Sequence, residues 1–313
     1  MAKLLIVGVD SMVGSNLALA LSREFDVVGL GQQKPFHLPA IRTSGCRTDD
    51  PAAVASAVRR RKPRWIIHCG PLAQSSWDQR GLAGLTPATV NVALAIAEAA
   101  RDVGSRLTYL STDAVFSGPR MFHNEQSPGK SSSEAVQEIE QTLETNGALI
   151  VRTHCYGWSP AGQRPVWIER LATAMFEGQP PDAQGSHHAT PILATDLARL
   201  LLRAYRLDVR GVLHLAGAER TSQRRLAAEL AAMWPDLCSG AIGSLPALAG
   251  TLAESDSNSA ARETSLDTRR ARRLLGRPMP MLREGLCRFV AQAFDGHRQR
   301  LHSAGTTIRR RAA

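Results

Sequence analysis

Three observations predict an α/β fold, a doubly wound parallel sheet with a smaller mixed α/β part behind it. Short apolar runs alternate with helical patterns through the first half of the chain, as happens when helices cover both faces of a parallel sheet. Those runs are continuously hydrophobic, the pattern of strands buried on both faces. A glycine-bounded turn, Gly8 to Gly14, joins the first run to the first helical segment.

Each element has its own signal. Lys3–Gly8 reads as a strand, Met12–Arg23 as a helix and Asp26–Leu30 as the second strand. Asp50-Pro51 sets a side-chain acceptor before a proline at the first helical position, which starts a helix reaching Arg61. Trp65–Cys69 is strand-like, and Thr86-Pro87 repeats the cap-and-proline signal ahead of an alanine-rich helix to Val103. Arg106–Leu110 reads as a strand, Ser132–Asn146 as a helix and Ala148–Thr153 as a buried strand. Beyond Tyr156 the regularity weakens. Gly157–Gly162 and Gly178–Gly185 read as loops, Asp196–Tyr205 as a helix, Gly211–Leu215 as a strand and Gln223–Met233 as a helix with an apolar face. Ser239–Ser259 reads as a polar surface loop and Arg269–Leu275 as a short basic helix. The expected organisation is a nucleotide-binding unit over 1–155, a ligand-binding part over 156–290 that returns to the core, and a basic, flexible tail over 291–313.

Composition narrows the function classes. At 313 residues, 43% hydrophobic and 21% charged, the chain is ordinary for a globular protein and not for a disordered one. No run approaches the ~20 apolar residues of a membrane span. Met1-Ala2-Lys3 leads straight into the first strand, so a cytoplasmic location is expected. The five scattered cysteines form no Cys-x-x-Cys, which indicates neither a disulfide framework nor a zinc site. The adjacent His187 and His188 seldom aim at one ion and read as loop residues. The net charge is +10, but Arg298, Arg300, Arg309, Arg310 and Arg311 in the tail supply half of it. That reads as a solvated end and disfavours a nucleic-acid partner.

Gly8-Val9-Asp10-Ser11-Met12-Val13-Gly14 stands where a phosphate-binding turn belongs in a Rossmann-type unit. Backbone amides at such a helix start hold a pyrophosphate, so Gly8, Ser11, Met12, Val13 and Gly14 are cofactor-binding candidates. Ser11 replaces the usual middle glycine. The second strand ends Leu30-Gly31-Gln32-Gln33-Lys34, with no acid for the ribose hydroxyls, while Lys34, Arg42 and Arg47 are available to a 2′-phosphate. This predicts weak binding that leans to NADP over NAD.

Leu110-Ser111-Thr112-Asp113-Ala114-Val115-Phe116-Ser117-Gly118 resembles the Ser-Thr-Asp-Tyr-Val-Phe-x-Gly signature of the dTDP-4-dehydrorhamnose reductases, extended short-chain dehydrogenases that reduce the 4-keto group of a dTDP-sugar. Further matches run in order: Asp50-Pro51, Ile66-Ile67-His68-Cys69, Asn91, Val151-Arg152-Thr153, Tyr156-Gly157, and Thr190-Pro191 through Asp196-Leu197-Ala198. His214-Leu215-Ala216-Gly217 and Ser265-Leu266-Asp267-Thr268 extend the resemblance over roughly residues 3–290. It implies a nicotinamide cofactor and a nucleotide-sugar ligand. It places Cys69, Gly70, Asn91 and Ser111 around the cofactor, with Thr112 and Asp113 at the catalytic centre.

The departure lies in the chemistry. The family's Tyr-x-x-x-Lys pair supplies the proton to the carbonyl oxygen and grips the nicotinamide ribose. The three tyrosines here, Tyr109, Tyr156 and Tyr205, are followed four residues on by Asp113, Pro160 and Val209. Counted from Pro128 to Glu140, the tyrosine slot is Ser132 and the lysine slot Val136. Thr112 remains to hydrogen-bond the substrate oxygen, and the candidates for a relocated acid are Asp113, Lys130, His68, His154 and Tyr156. Two readings follow: an NAD(P)-dependent reductase of a nucleotide-activated keto-sugar with an atypical site, or an inactive nucleotide- or nucleotide-sugar-binding protein that regulates or scaffolds a partner, as a homodimer or with another chain. Epimerase or dehydratase chemistry needs the same missing pair.

Overall fold

The computed structural model describes residues 1–32, 36–78, 85–178, 187–238 and 262–303. The first half runs Lys3–Val7 (β1), Met12–Leu21 (α1), Asp26–Gly31 (β2), Arg42–Gly45 (β3), Pro51–Arg61 (α2), Trp65–His68 (β4) and Pro87–Asp102 (α3). It continues with Arg106–Thr112 (β5), Glu134–Thr145 (α4) and Leu149–Thr153 (β6). The second half holds Cys155–Tyr156 (β7), Trp167–Phe176 (α5), His188–Ala189 (β8), Ile192–Leu193 (β9) and Ala194–Arg206 (α6). Gly211–His214 (β10), Thr221–Ser222 (β11), Gln223–Cys238 (α7), Arg269–Leu275 (α8), Leu282–Phe294 (α9) and His297–His302 (α10) complete it.

Seven strands form one sheet in the order β10-β6-β5-β4-β1-β2-β3, all parallel, with Leu5 of β1 opposite Val28 of β2 and Ile66 of β4. The order reverses between β1 and β4, which opens a crevice at the carboxyl ends of the strands. Two apolar layers cover the sheet. Leu4, Ile6, Leu17 and Leu201 belong to one and Leu5, Val7, Val58 and Ile96 to the other. Alternate residues of β1 enter opposite layers, as strand geometry demands.

The helix starts follow the sequence signals. Asp50 accepts the amides of Ala52 and Ala53 ahead of Pro51, and Thr86 forms a reciprocal cap with Thr89 ahead of Pro87. β3 was not expected, because Arg42-Thr43-Ser44-Gly45 carries no apolar run; it is an edge strand, held only by β2. The expected helix from Ser132 begins later: Ser131–Ser133 form a 3₁₀ turn and α4 starts at Glu134.

Of the flexible tail expected over 291–313, the described residues 291–303 are instead largely helical. α9 continues to Phe294 and α10 follows, with Leu301 and His297 buried. His297 Nε2 lies 2.8 Å from Asn16 Oδ1, so this segment is fastened to α1. Among the two loops expected after Tyr156, α5 lies between them. Ser239–Ser259 and most of Gly178–Gly185 lie outside the described residues. No helix among the described residues is long and apolar enough to cross a membrane.

Candidate functional site

The phosphate turn is built by close packing. Gly8 has φ +82°, and a Cβ there would meet the Cys69 carbonyl oxygen at 2.1 Å; a Cβ at Gly14 would meet the Gly8 carbonyl oxygen at 2.1 Å. Both positions therefore require glycine. Ser11 turns its hydroxyl back into the loop, donating to the Gly8 carbonyl at 2.7 Å and accepting from the Gly14 amide at 3.0 Å. It caps α1 instead of projecting into the ligand space. The first-turn amides of Met12 and Val13 have no carbonyl one turn earlier, and these are the groups a pyrophosphate uses.

A cleft of about 710 Å³ opens at this turn, within the range of cofactor sites. Gly8, Ser11, Met12, Val13, Cys69 and Gly70 line it. Arg164 and Arg170 line it from the segment after β7, and their positive charge suits a pyrophosphate. Sequence reasoning missed both arginines, because only the fold brings this segment over the turn. Among the described residues no group of three metal-ligating side chains comes together.

Five expected site residues do not line the cleft: Gly14, Asn91, Ser111, Thr112 and Asp113. Asn91 is exposed on α3 and Ser111 is fully buried, and neither lines the cleft. The Ser111 hydroxyl donates to Glu140 Oε1 at 2.5 Å, and Arg152 grips the same carboxylate through Nε and Nη2. These three residues, all within or beside the family-like motifs, tie β5, β6 and α4 together rather than touching a ligand. Asp113 is also fully buried. Its carboxylate accepts from the Ser76 amide at 3.0 Å, the Ser76 hydroxyl at 2.6 Å and the Thr264 hydroxyl at 2.5 Å, and lies 2.8 Å from His154 Nδ1. Burial alone would raise the Asp113 pKa, but His154, Ser76 and Thr264 outweigh it and hold the carboxyl below its ordinary value. A carboxylate so paired is a fastener between β5 and the 262–268 segment, not a proton donor.

Thr112 is fully buried, its hydroxyl donating to the Gln74 carbonyl at 3.1 Å and accepting the Ala114 amide at 3.1 Å. Gln74, Ser75 and Trp77 line the cleft, and Thr112 does not. Ser132 is exposed in its 3₁₀ turn, while Val136 is fully buried within an apolar layer. The slot for a lysine is therefore filled with hydrocarbon.

The other acid candidates fare no better. Tyr156 lies in the core with its hydroxyl against Gly285, and burial pushes its pKa well up. His68 lines the cleft, but burial lowers its pKa to about 4, so the ring is neutral near pH 7. Burial and Arg262 lower the Lys130 pKa while Asp113 raises it, and Lys130 does not line the cleft.

Near the tip of β2 the cleft holds a carboxylate that the strand-end rule overlooks. Asp10 lines it together with Gln32, Thr48 and Asp49. A Cβ on Gly31 would meet Asp10 Cγ at 2.9 Å, and Asp10 Oδ2 accepts the Gln32 amide at 2.9 Å. The available signal was an acid inside the glycine turn facing a glycine at the end of β2. Arg42 pairs with Asp26 at the far end of β2, roughly 16 Å along the strand from the crevice. Arg47 is exposed, 3.8 Å from Asp49. Lys34 lies outside the described residues.

Comparisons agree with this architecture. The fold matches a dTDP-4-dehydrorhamnose reductase from Bacillus anthracis crystallised with NADP, at 20% identity over 93% of this chain and 99% of that one, TM-score 0.69. It also matches the Bordetella bronchiseptica enzyme WbmH in complex with NAD+ (19% identity, 93% and 98% covered, TM-score 0.67). UDP-glucose 4-epimerase of Thermotoga maritima, solved with UDP-glucose, matches at 15% identity, 94% and 99% coverage and TM-score 0.71. No curated protein sequence matches the chain. The family model described as RmlD substrate binding domain matches residues 2–294, and the chain therefore belongs to this family of dTDP-4-dehydrorhamnose reductase-like proteins.

Proposed function

We propose that this chain binds a nicotinamide dinucleotide in the cleft and a nucleotide-activated keto-sugar beside it, and that it reduces the sugar only slowly. The supporting observation is the contrast between the two ends of one cleft. Its phosphate end is complete: the Gly8–Gly14 turn, the α1 amides and Arg164 and Arg170 form a donor set that fits a pyrophosphate. Its chemical end lacks the family's acid, with Ser132 exposed, Val136 in the core and the Thr112 hydroxyl engaged by Gln74.

When bound, the dinucleotide supplies hydride. This chain's residues would orient it: the Met12 and Val13 amides would hold the pyrophosphate, Arg164 and Arg170 would neutralise it, and His68, Cys69 and Gly70 line the same cleft. Reduction also needs a proton at the sugar oxygen, and a positioned acid is worth about 10²–10⁴ in rate. Without one, the proton comes from solvent, and turnover falls by that factor.

The second reading, a binding protein with no turnover that regulates or scaffolds a partner, draws support from Val136, whose burial leaves no space for the missing lysine. Measuring NADH binding and NADH oxidation together, with a dTDP-4-keto-sugar present, separates the two. Saturable binding with slow oxidation supports the first, binding with background oxidation supports the second, and no NADH binding refutes the first.

A further inference from the structure

The end of the cleft beyond the phosphate turn is where the adenosine ribose of a dinucleotide lies in this architecture, and its charge decides between NAD and NADP. The usual selector is an acid at the tip of the second strand. β2 instead ends in Gly31, and the sequence alone therefore predicts a lean to NADP. In three dimensions the vacancy is filled. The Asp10 side chain arises from the phosphate turn on the neighbouring strand and occupies the space a Gly31 side chain would take, with its Cγ 2.9 Å from where a Cβ would stand. Asp10 Oδ2 accepts the Gln32 amide at 2.9 Å, which fixes the carboxylate at the tip of β2. Asp49, from the turn after β3, lines the same end.

We infer that Asp10 is the selector of the dinucleotide, a carboxylate presented by the phosphate turn rather than the strand tip, and that it favours NAD(H) over NADP(H). The inference rests on the reading that the cleft holds a nicotinamide dinucleotide. A carboxylate accepts hydrogen bonds from vicinal ribose hydroxyls, and each of its oxygens can accept more than one. The same carboxylate repels a 2′-phosphate, which carries the same sign of charge at close range in a half-enclosed cleft. Among the described residues, the two cations that sequence reasoning offered to a 2′-phosphate, Arg42 and Arg47, do not line the cleft. Arg42 is bound to Asp26 at the opposite end of β2, and Arg47 is outside the lining, near Asp49. Gly31 and Asp10 form a complementary pair: a side chain at Gly31 would collide with the carboxylate, so the acid is carried by one residue of the two.

The test is a fluorescence titration of the full chain with NADH and with NADPH, repeated for Asp10→Asn and Lys34→Ala. The expected result is NADH binding at least tenfold tighter than NADPH, a gap of about 1.4 kcal/mol. Asp10→Asn should weaken NADH and strengthen NADPH so that the ratio falls to threefold or less, a change that mere loss of folding would not produce. Lys34→Ala should leave the wild-type ratio in place. Tighter NADPH binding by the wild type, or an Asp10→Asn ratio equal to wild type, overturns the inference while leaving the dinucleotide reading intact. Loss of NADPH binding in Lys34→Ala would likewise overturn it, by showing that a cation reads the 2′-phosphate. Failure of either nucleotide to bind overturns the reading and the inference together.

Discussion

Val136 carries more of the functional argument than any residue that touches the cleft. Ungapped counting puts a lysine of the family there, yet its side chain is fully buried among the residues of one apolar layer. Replacing both members of the vanished pair, Ser132→Tyr with Val136→Lys, looks from the sequence like a restoration worth at least tenfold in turnover. The structure reverses that expectation, since it would place an unpaired ammonium in the core. Val136→Lys should destabilise the chain by ~3 kcal/mol or more, the cost of a buried uncompensated charge. Urea unfolding of the single and double variants checks this. A stable double variant with raised turnover would show that the α4 face can still turn toward the cleft. Thr112 and Asp113 teach a related lesson. Both side chains are present at the sequence positions the resemblance marks, but each is engaged in hydrogen bonds and neither lines the cleft.

At the scale of elements, the motifs that made the family legible are those that hold strands to helices. Ser111 of β5, Glu140 of α4 and Arg152 of β6 form one buried cluster, with the Arg152 guanidinium 5.1 Å from the centre of the Phe116 ring. Glu140→Gln leaves that guanidinium buried without its counter-charge and should cost about 3–5 kcal/mol, whereas Glu140→Leu combined with Arg152→Met should cost less than either change alone. Chemical denaturation of the four variants, Glu140→Gln, Glu140→Leu, Arg152→Met and the double, reads this directly; an additive double variant would mean that the two side chains act independently. The core strands and cap-and-proline helix starts were legible because their cause is local. Leu4 to Val7 is apolar throughout, and Asp50-Pro51 and Thr86-Pro87 need no distant partner. β3 and the one-turn pairings β7–β9 and β8–β11 were not, because four- and two-residue strands draw their stability from neighbours far along the chain. The carboxylate near the tip of β2 was missed for the same reason: Asp10 and Gly31 meet only across β1 and β2.

For the whole molecule, buried histidines set a pH dependence. Burial lowers the His68 pKa to about 4, and burial with Arg152 nearby lowers that of His214 to about 3. Both are neutral in the folded chain, while in the unfolded chain they gain protons below about pH 6.5. The unfolded state then binds more protons, so this stability is full above about 6.5 and declines as pH falls toward the folded values. Between pH 7.5 and 5 each histidine should remove ~2 kcal/mol. Urea midpoints at the two pH values test this, and an equal or higher midpoint at pH 5 would contradict it. The C-terminal helices belong to the same unit. Phe289 of α9 stacks on Trp158 with ring centres 4.3 Å apart, and His297 reaches Asn16 of the phosphate helix, so the presumed tail buttresses the cofactor end of the cleft.

The central claim is that this cleft holds a nicotinamide dinucleotide but lacks the acid that completes reduction. Its most direct test is the rate of NADH oxidation, followed by absorbance, when the NADH-saturated protein is mixed with a dTDP-4-keto-6-deoxysugar. Taking a typical turnover of about 10 s⁻¹ and removing the 10²–10⁴ contributed by a positioned acid, the account predicts a rate of roughly 0.001–0.1 s⁻¹ or less with binding intact. Oxidation at about 1 s⁻¹ or faster would contradict it and would mean that a group outside the vacated pair delivers the proton.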